Sequence, residues 1–111
     1  AIAEAYPDLV ELRSIGKSLE GREMWLAIVT PPSVRAGTDG HREMPAMWID
    51  GNIHANEIQA AEVVVYTLWY LTKEYGSNDA ITEMIDRTAF SLLPVVPPDS
   101  RADAARLGRD R

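Results

Sequence analysis

The chain contains no cysteine. That single absence excludes disulfides, a thiolate nucleophile and every cysteine-based zinc site, so any metal must be held by His, Asp or Glu. Histidine is itself scarce, with only His41 and His54 in 111 residues. No run approaches the ~20 consecutive apolar residues of a bilayer-spanning helix, so no membrane partner is expected. Positive charge is short, with 11 Lys and Arg against 17 Asp and Glu and a net charge of −6, which argues against nucleic acid as a partner. The opening AIAEAYPDL lacks a basic segment followed by an apolar core. No leader is expected within it, and a mature exported protein would have shed one.

What is present suits a globular domain. Apolar residues make up 46% of the sequence, and the length predicts one domain with a real core. Tyr6-Pro7-Asp8 opens a short helical turn. Leu12 to Leu19 reads as an edge strand, Glu20-Gly21-Arg22 as a hairpin turn, and Glu23 to Thr30 as a returning strand buried on both faces. Pro31 and Pro32 stop it. Ser33 to Met44 is a polar loop, in which His41 reads as a solvated loop histidine.

The stretch Pro45 to Gln59, PAMWIDGNIHANEIQ, holds the candidate chemistry. Ala46–Asp50 reads as a buried strand that breaks at Asp50-Gly51-Asn52. From Asn56 the apolar period changes to about 3.6, which predicts one helix over 56–75 with Asn56 as N-cap and Gln59 completing a variant capping box. Its buried stripe is read as Ile58, Ala61, Val65, Leu68, Trp69 and Thr72, with Val64 and Leu71 beside it. Gly76 ends it. A short helix from Ala80 to Ile85, capped by Ser77 or Asn78, precedes an apolar strand from Thr88 to Val96, where Pro94 marks an end or a bulge. Ser100 to Arg111 shows no clear apolar face and reads as a loop or frayed helix. Trp25, Trp48, Tyr66 and Trp69 are expected to pack in the core. The order is βββ–α–(short α)–β, an α/β fold with one mixed β-sheet and packed helices on a single face.

His54 and Glu57 are the candidate metal ligands. Neutral imidazole and carboxylate suit zinc. Glu57 would stand in the first helical turn, where the helix dipole favours the ionised carboxylate. Asp50 or a backbone carbonyl is positioned to hold the other ring nitrogen. Such a site would lie at the end of a sheet strand, where open α/β sheets bind their ligands. The pair has a second reading, in which Glu57 is an ordinary acidic first-turn residue and His54 a turn histidine bonded to a carbonyl.

The run Trp48-Ile49-Asp50-Gly51-Asn52-Ile53-His54-Ala55-Asn56-Glu57 resembles the first metal motif of the zinc carboxypeptidases of the carboxypeptidase A type. Tyr6-Pro7-Asp8-Leu9-Val10, Ile15-Gly16-Lys17-Ser18 leading to Gly21-Arg22, Leu93-Pro94-Val95-Val96 and Pro98-Asp99 occur in that family's order. The resemblance implies an α/β sandwich around a mixed sheet, with His54 and Glu57 as two of three zinc ligands. It implies hydrolysis of C-terminal residues from peptides or proteins by a zinc-activated water and a glutamate base. It also points to a secreted or periplasmic setting. The second histidine ligand, the general base and the Asn-Arg pair that grips the substrate carboxylate are expected beyond Arg111. Residues 1–111 then form the N-terminal part of a single domain, inactive alone and open to self-association through an uncovered strand. Asn56 stands where the family carries arginine, and Pro97 where it carries asparagine. An N-acyl amino acid deacylase of the same fold, and a binding module that has lost the chemistry, are the alternatives.

Overall fold

The computed structural model describes residues 1–109. Its elements run α1 (Ile2–Ala5), β1 (Val10–Lys17), β2 (Glu23–Val29), α2 (Asp39–Glu43), β3 (Ala46–Asp50), α3 (Ile58–Glu74), α4 (Asp79–Arg87), β4 (Ala89–Leu93) and α5 (Pro98–Arg109). The strands form one four-stranded sheet in the order β1-β2-β4-β3. β1 pairs antiparallel with β2, and β2 with β4. β3 runs parallel to β4, from Ala46↔Ala89 to Asp50↔Leu93. A parallel pair needs a crossover, and α3 and α4 supply it. The α/β class and the mixed sheet are as the sequence implies.

Side chains two apart share a sheet face. Ala27 and Val29 of β2 and Phe90 and Leu92 of β4 meet Val64, Leu68 and Leu71 of α3 and Ile85 of α4 in the main core. On the opposite face Leu26, Ile28 and Leu93 pack with Ala36 and Val96. β2 is therefore buried on both faces over Leu26–Val29, as its apolar run implies, because one cluster packs on each face of it.

Several expectations shift. β1 spans Val10–Lys17 rather than Leu12–Leu19, because the turn that closes it starts at Ser18, where Ser18 N–H donates to Arg22 O and Gly21 N–H to Ser18 O. β4 stops at Leu93, since Pro94 has no N–H for the ladder. α4 is longer than Ala80–Ile85, and Asn78 caps it by accepting from the Ala80 and Ile81 amides at 3.1 and 3.3 Å. Pro98–Arg109 is helical, and residues 110–111 of the segment read as loop or frayed helix lie outside the described residues.

The larger corrections concern burial. β3 is an edge strand, and Met47 and Trp48 are 51% and 52% exposed, with only Ile49 reaching the main core. Trp25, Tyr66 and Trp69 are also exposed. The buried face of α3 is Ala61, Val64, Leu68, Leu71 and Thr72, while Ile58, Val65 and Trp69 lie outside it. α3 is apolar around most of its circumference, so its period alone does not select a face. Its first residue is Ile58, not Asn56, and its N-cap is Glu57 with no side-chain cap bond.

A polar cluster ties the start of α5 to the β1–β2 turn. Asp99 accepts from the Ser18 hydroxyl at 2.6 Å, the Glu20 amide at 3.0 Å and the Arg22 guanidinium at 2.6 Å. Donation from Ser18 is the main cause that holds the Asp99 carboxyl below the usual range, helped by Glu20 N–H and Arg22 against the opposing effect of partial burial. Contacts of this kind join segments that sequence separates widely, and none is foreshadowed by local pattern.

Two outcomes follow from this packing. Val64 is 3% exposed, and Val64→Asp places an unpaired charge in the core, which should destabilise by about 3 kcal/mol or more; a parental urea midpoint would contradict the buried face. Asp99 has a folded pKa below its unfolded one, so its contribution is complete above about pH 3.9 and fades as pH falls through the folded value. Asp99→Ala should therefore be less stable than the parent at pH 7, with the gap narrowing in acid. Urea midpoints at pH 7 and pH 3 measure it, and an unchanged gap would remove the linkage.

Candidate metal centre

The site is built from the end of β3. Gly51 N–H donates to Leu93 O at 3.1 Å, and Val96 N–H donates back to Gly51 O at 3.2 Å. A Cβ on Gly51 would stand 2.9 Å from Ala60 O and 3.1 Å from Pro94 O. Glycine is needed here for close approach, because the atoms in the way are backbone and cannot swing aside. Asn52 follows in the left-handed region, φ 61°, a conformation that Asn tolerates better than most residues. The chain then turns through 54–57, where Glu57 N–H donates to His54 O at 3.0 Å. This turn is why α3 starts later than the apolar period suggests.

The turn brings His54 and Glu57 together. His54 Nδ1 stands 3.1 Å from Glu57 Oε1, and both side chains are exposed. Two donors at 2.0–2.2 Å from a tetrahedral zinc stand roughly 3.3–3.6 Å apart, so this imidazole and carboxylate fit one ion with little movement. The same distance also suits a direct hydrogen bond between them. Glu57 sits at the N-terminus of the 17-residue α3, where the helix dipole favours a carboxylate. Among the described residues no group of three or more His, Asp or Glu gathers as a metal site.

Asp50 is one of the two partners expected for the other ring nitrogen, the other being a backbone carbonyl. Asp50 Oδ2 accepts from Trp48 Nε1 at 2.7 Å, on its own strand. His41 belongs to α2 and accepts from Gly37 N–H at 2.9 Å, within its own loop. Two residues that sequence reasoning passed over belong to the site's frame. Asn52 was legible only as part of a turn signal, yet it is buried and bonded to His54 O through Nδ2 at 2.8 Å. Arg101 of α5 reaches Asn52 Oδ1 at 2.7 Å, and its segment carries no motif that marks it.

A sequence profile described as zinc carboxypeptidase matches residues 1–104, and the chain belongs to that family. It is similar to Carboxypeptidase D of Drosophila melanogaster, with 34% identity over 101 residues that make up 89% of this chain and 7% of that protein. It is also similar to Carboxypeptidase M of Mus musculus, with 32% identity over 101 residues, 89% of this chain and 21% of that one. Among solved structures, thrombin activatable fibrinolysis inhibitor superimposes with a TM-score of 0.76 and 31% identity over 90% of this chain and 23% of its own. The chain thus spans less than a quarter of each of these relatives.

The crowding at Gly51 gives a direct test of the frame. Gly51→Ala should destabilise by about 1–3 kcal/mol, because the new methyl must push the first turn of α3 away from the end of β4. Thermal or urea denaturation checks it, and a neutral result would mean that the three segments are not in contact.

Proposed function

We propose that His54 and Glu57 are two protein ligands of the zinc ion in a metallocarboxypeptidase that removes C-terminal residues from peptides. The observation that carries this reading is the 3.1 Å approach of His54 Nδ1 to Glu57 Oε1 at the carboxyl end of β3. Membership of the zinc carboxypeptidase family supports it. When bound, zinc supplies an acidified water and a polarising charge for the scissile carbonyl.

This chain's own part is to hold and orient. Nδ1 is the ring nitrogen that faces the carboxylate, so it is the one that would bind metal, leaving Nε2 for an orienting partner. Glu57 stands at the N-terminus of α3, where the helix dipole favours negative charge, and the carboxylate is the ligating form. Exposure of both side chains leaves the site open to a further ligand and to a peptide. The second histidine, the general base and the residues that grip the substrate carboxylate are assigned to sequence beyond Arg111, outside the described residues. Residues 1–111 are accordingly read as the N-terminal part of one larger domain. In support, β3 exposes Met47 and Trp48 at the sheet edge, α3 exposes Val65, Tyr66 and Trp69, and the similar solved structure is covered over only 23% of its length.

The test is zinc affinity of the full-length protein by competition with a chromophoric chelator. His54→Ala and Glu57→Ala should each weaken binding by roughly 100-fold or more, since loss of a ligand should exceed the 10–100-fold cost of losing an outer partner. Affinity should also fall with acid, because a protonated imidazole has no lone pair for a metal. Equal affinity in the parent and His54→Ala would defeat the ligand assignment and restore the reading of a turn histidine.

A further inference from the structure

His54 and Glu57 project from the surface, so their mutual spacing is set by the backbone between them. That backbone is held from beneath. Asn52 is 1% exposed, and its amide makes two bonds of opposite sense. Nδ2 donates to His54 O at 2.8 Å, and Oδ1 accepts from Arg101 Nη1 at 2.7 Å. The same Nη1 donates to Ile58 O at 2.8 Å. His54 O also accepts from Glu57 N–H. One guanidinium nitrogen and one amide therefore connect the residue after Gly51, the carbonyl of His54 and the first residue of α3.

Helix stability does not account for this arrangement. Arg101 lies in the early part of α5 and reaches the first residue of α3. A cation near a helix N-terminus opposes the helix dipole in both places. Asn52 also adopts a left-handed conformation that costs most residues free energy. The gain is a buried amide whose nitrogen and oxygen each have a partner, one on either side of the turn.

We infer that Asn52 and Arg101 are a positioning pair that sets the His54–Glu57 spacing before metal arrives. The inference rests on His54 and Glu57 being the ligands. The bonds of the pair go to each other and to the backbone of His54 and Ile58, not to the His54 or Glu57 side chains. They act by fixing the His54 carbonyl and the start of α3, so that the two donors are already close and less ordering is left to the binding step. Because both Arg101 contacts leave from one nitrogen, a lysine ammonium can replace them, whereas an apolar chain of similar length cannot.

The experiment uses the full-length protein and the variants Asn52→Gly, Arg101→Met, Arg101→Lys and His54→Ala. Glycine adopts the Asn52 backbone conformation freely, so Asn52→Gly removes the amide without adding strain. In the zinc-free protein, amide hydrogen exchange over residues 53–58 should rise roughly tenfold in Asn52→Gly and Arg101→Met, as expected for loss of one or two hydrogen bonds. Arg101→Lys should remain parental. Zinc affinity measured by chelator competition should fall about 10–100-fold in the first two variants, with rescue by lysine. Unchanged local exchange, parental zinc affinity in Arg101→Met, or exchange that rises equally throughout the chain would each overturn the proposal. His54→Ala separates the two levels. If it binds zinc like the parent while Asn52→Gly still opens residues 53–58, the ligand assignment fails and the pair is a brace of the turn, not a device for metal.

Discussion

The peptide at Gly51 is the point on which the site depends. It carries one hydrogen bond to the end of β4 through Leu93 and receives another from Val96 just beyond. It also lies so close to Ala60 and Pro94 that no side chain fits. The end of β3, the first turn of α3 and the exit from β4 are therefore in van der Waals contact at one place. At that separation a connection as short as residues 51–57 suffices to join strand and helix. Within that connection the Asn52 amide reaches the His54 carbonyl two residues on. A looser junction would leave His54 and Glu57 on a longer, freer loop, and ordering that loop would be charged against every binding event.

The start of α5 is a second organising region, because it sends polar side chains in two directions. Asp99 reaches the β1–β2 turn through Ser18, Glu20 and Arg22. Arg101 reaches the turn after β3 through Asn52 and Ile58. The two ties fix the helix against both ends of the region it covers. They also place oppositely charged groups two residues apart on a helix that has few apolar residues, so position here is set by directional bonds more than by burial.

Much of this was legible locally. β2 as a strand buried on both faces, a cap for α4 at Ser77 or Asn78 and the nearness of His54 to Glu57 in the chain all follow from short-range pattern. So does the resemblance of GNIHANE and its flanking pieces to the zinc carboxypeptidases, which the family profile bears out over residues 1–104. The failures share a cause. Trp25, Trp48, Tyr66 and Trp69 are large and apolar, and a large apolar residue is read as buried, but whether it is covered depends on what lies against it. α3 carries Val63, Val64, Val65, Tyr66, Leu68, Trp69, Tyr70 and Leu71 around most of its surface, so the choice of Val64 over Val65 belongs to the sheet and not to the helix. The Asn52–Arg101 contact joins residues 49 positions apart, and no periodicity carries information over that distance.

The sheet order has a consequence for how the chain is made. Among the described residues β3 pairs with β4, and Ala46 pairs with Ala89. A ribosome adds roughly 5–20 residues per second, so β3 emerges on the order of 2–9 s before the strand it is to join. During that interval Met47, Trp48 and Ile49 have no ladder to enter, while the β1–β2 hairpin behind them can already close. The nascent protein therefore passes through a stage in which a preformed ribbon trails an unpaired apolar segment. Synonymous codon changes between residues 50 and 89 would lengthen or shorten that stage without altering a single side chain.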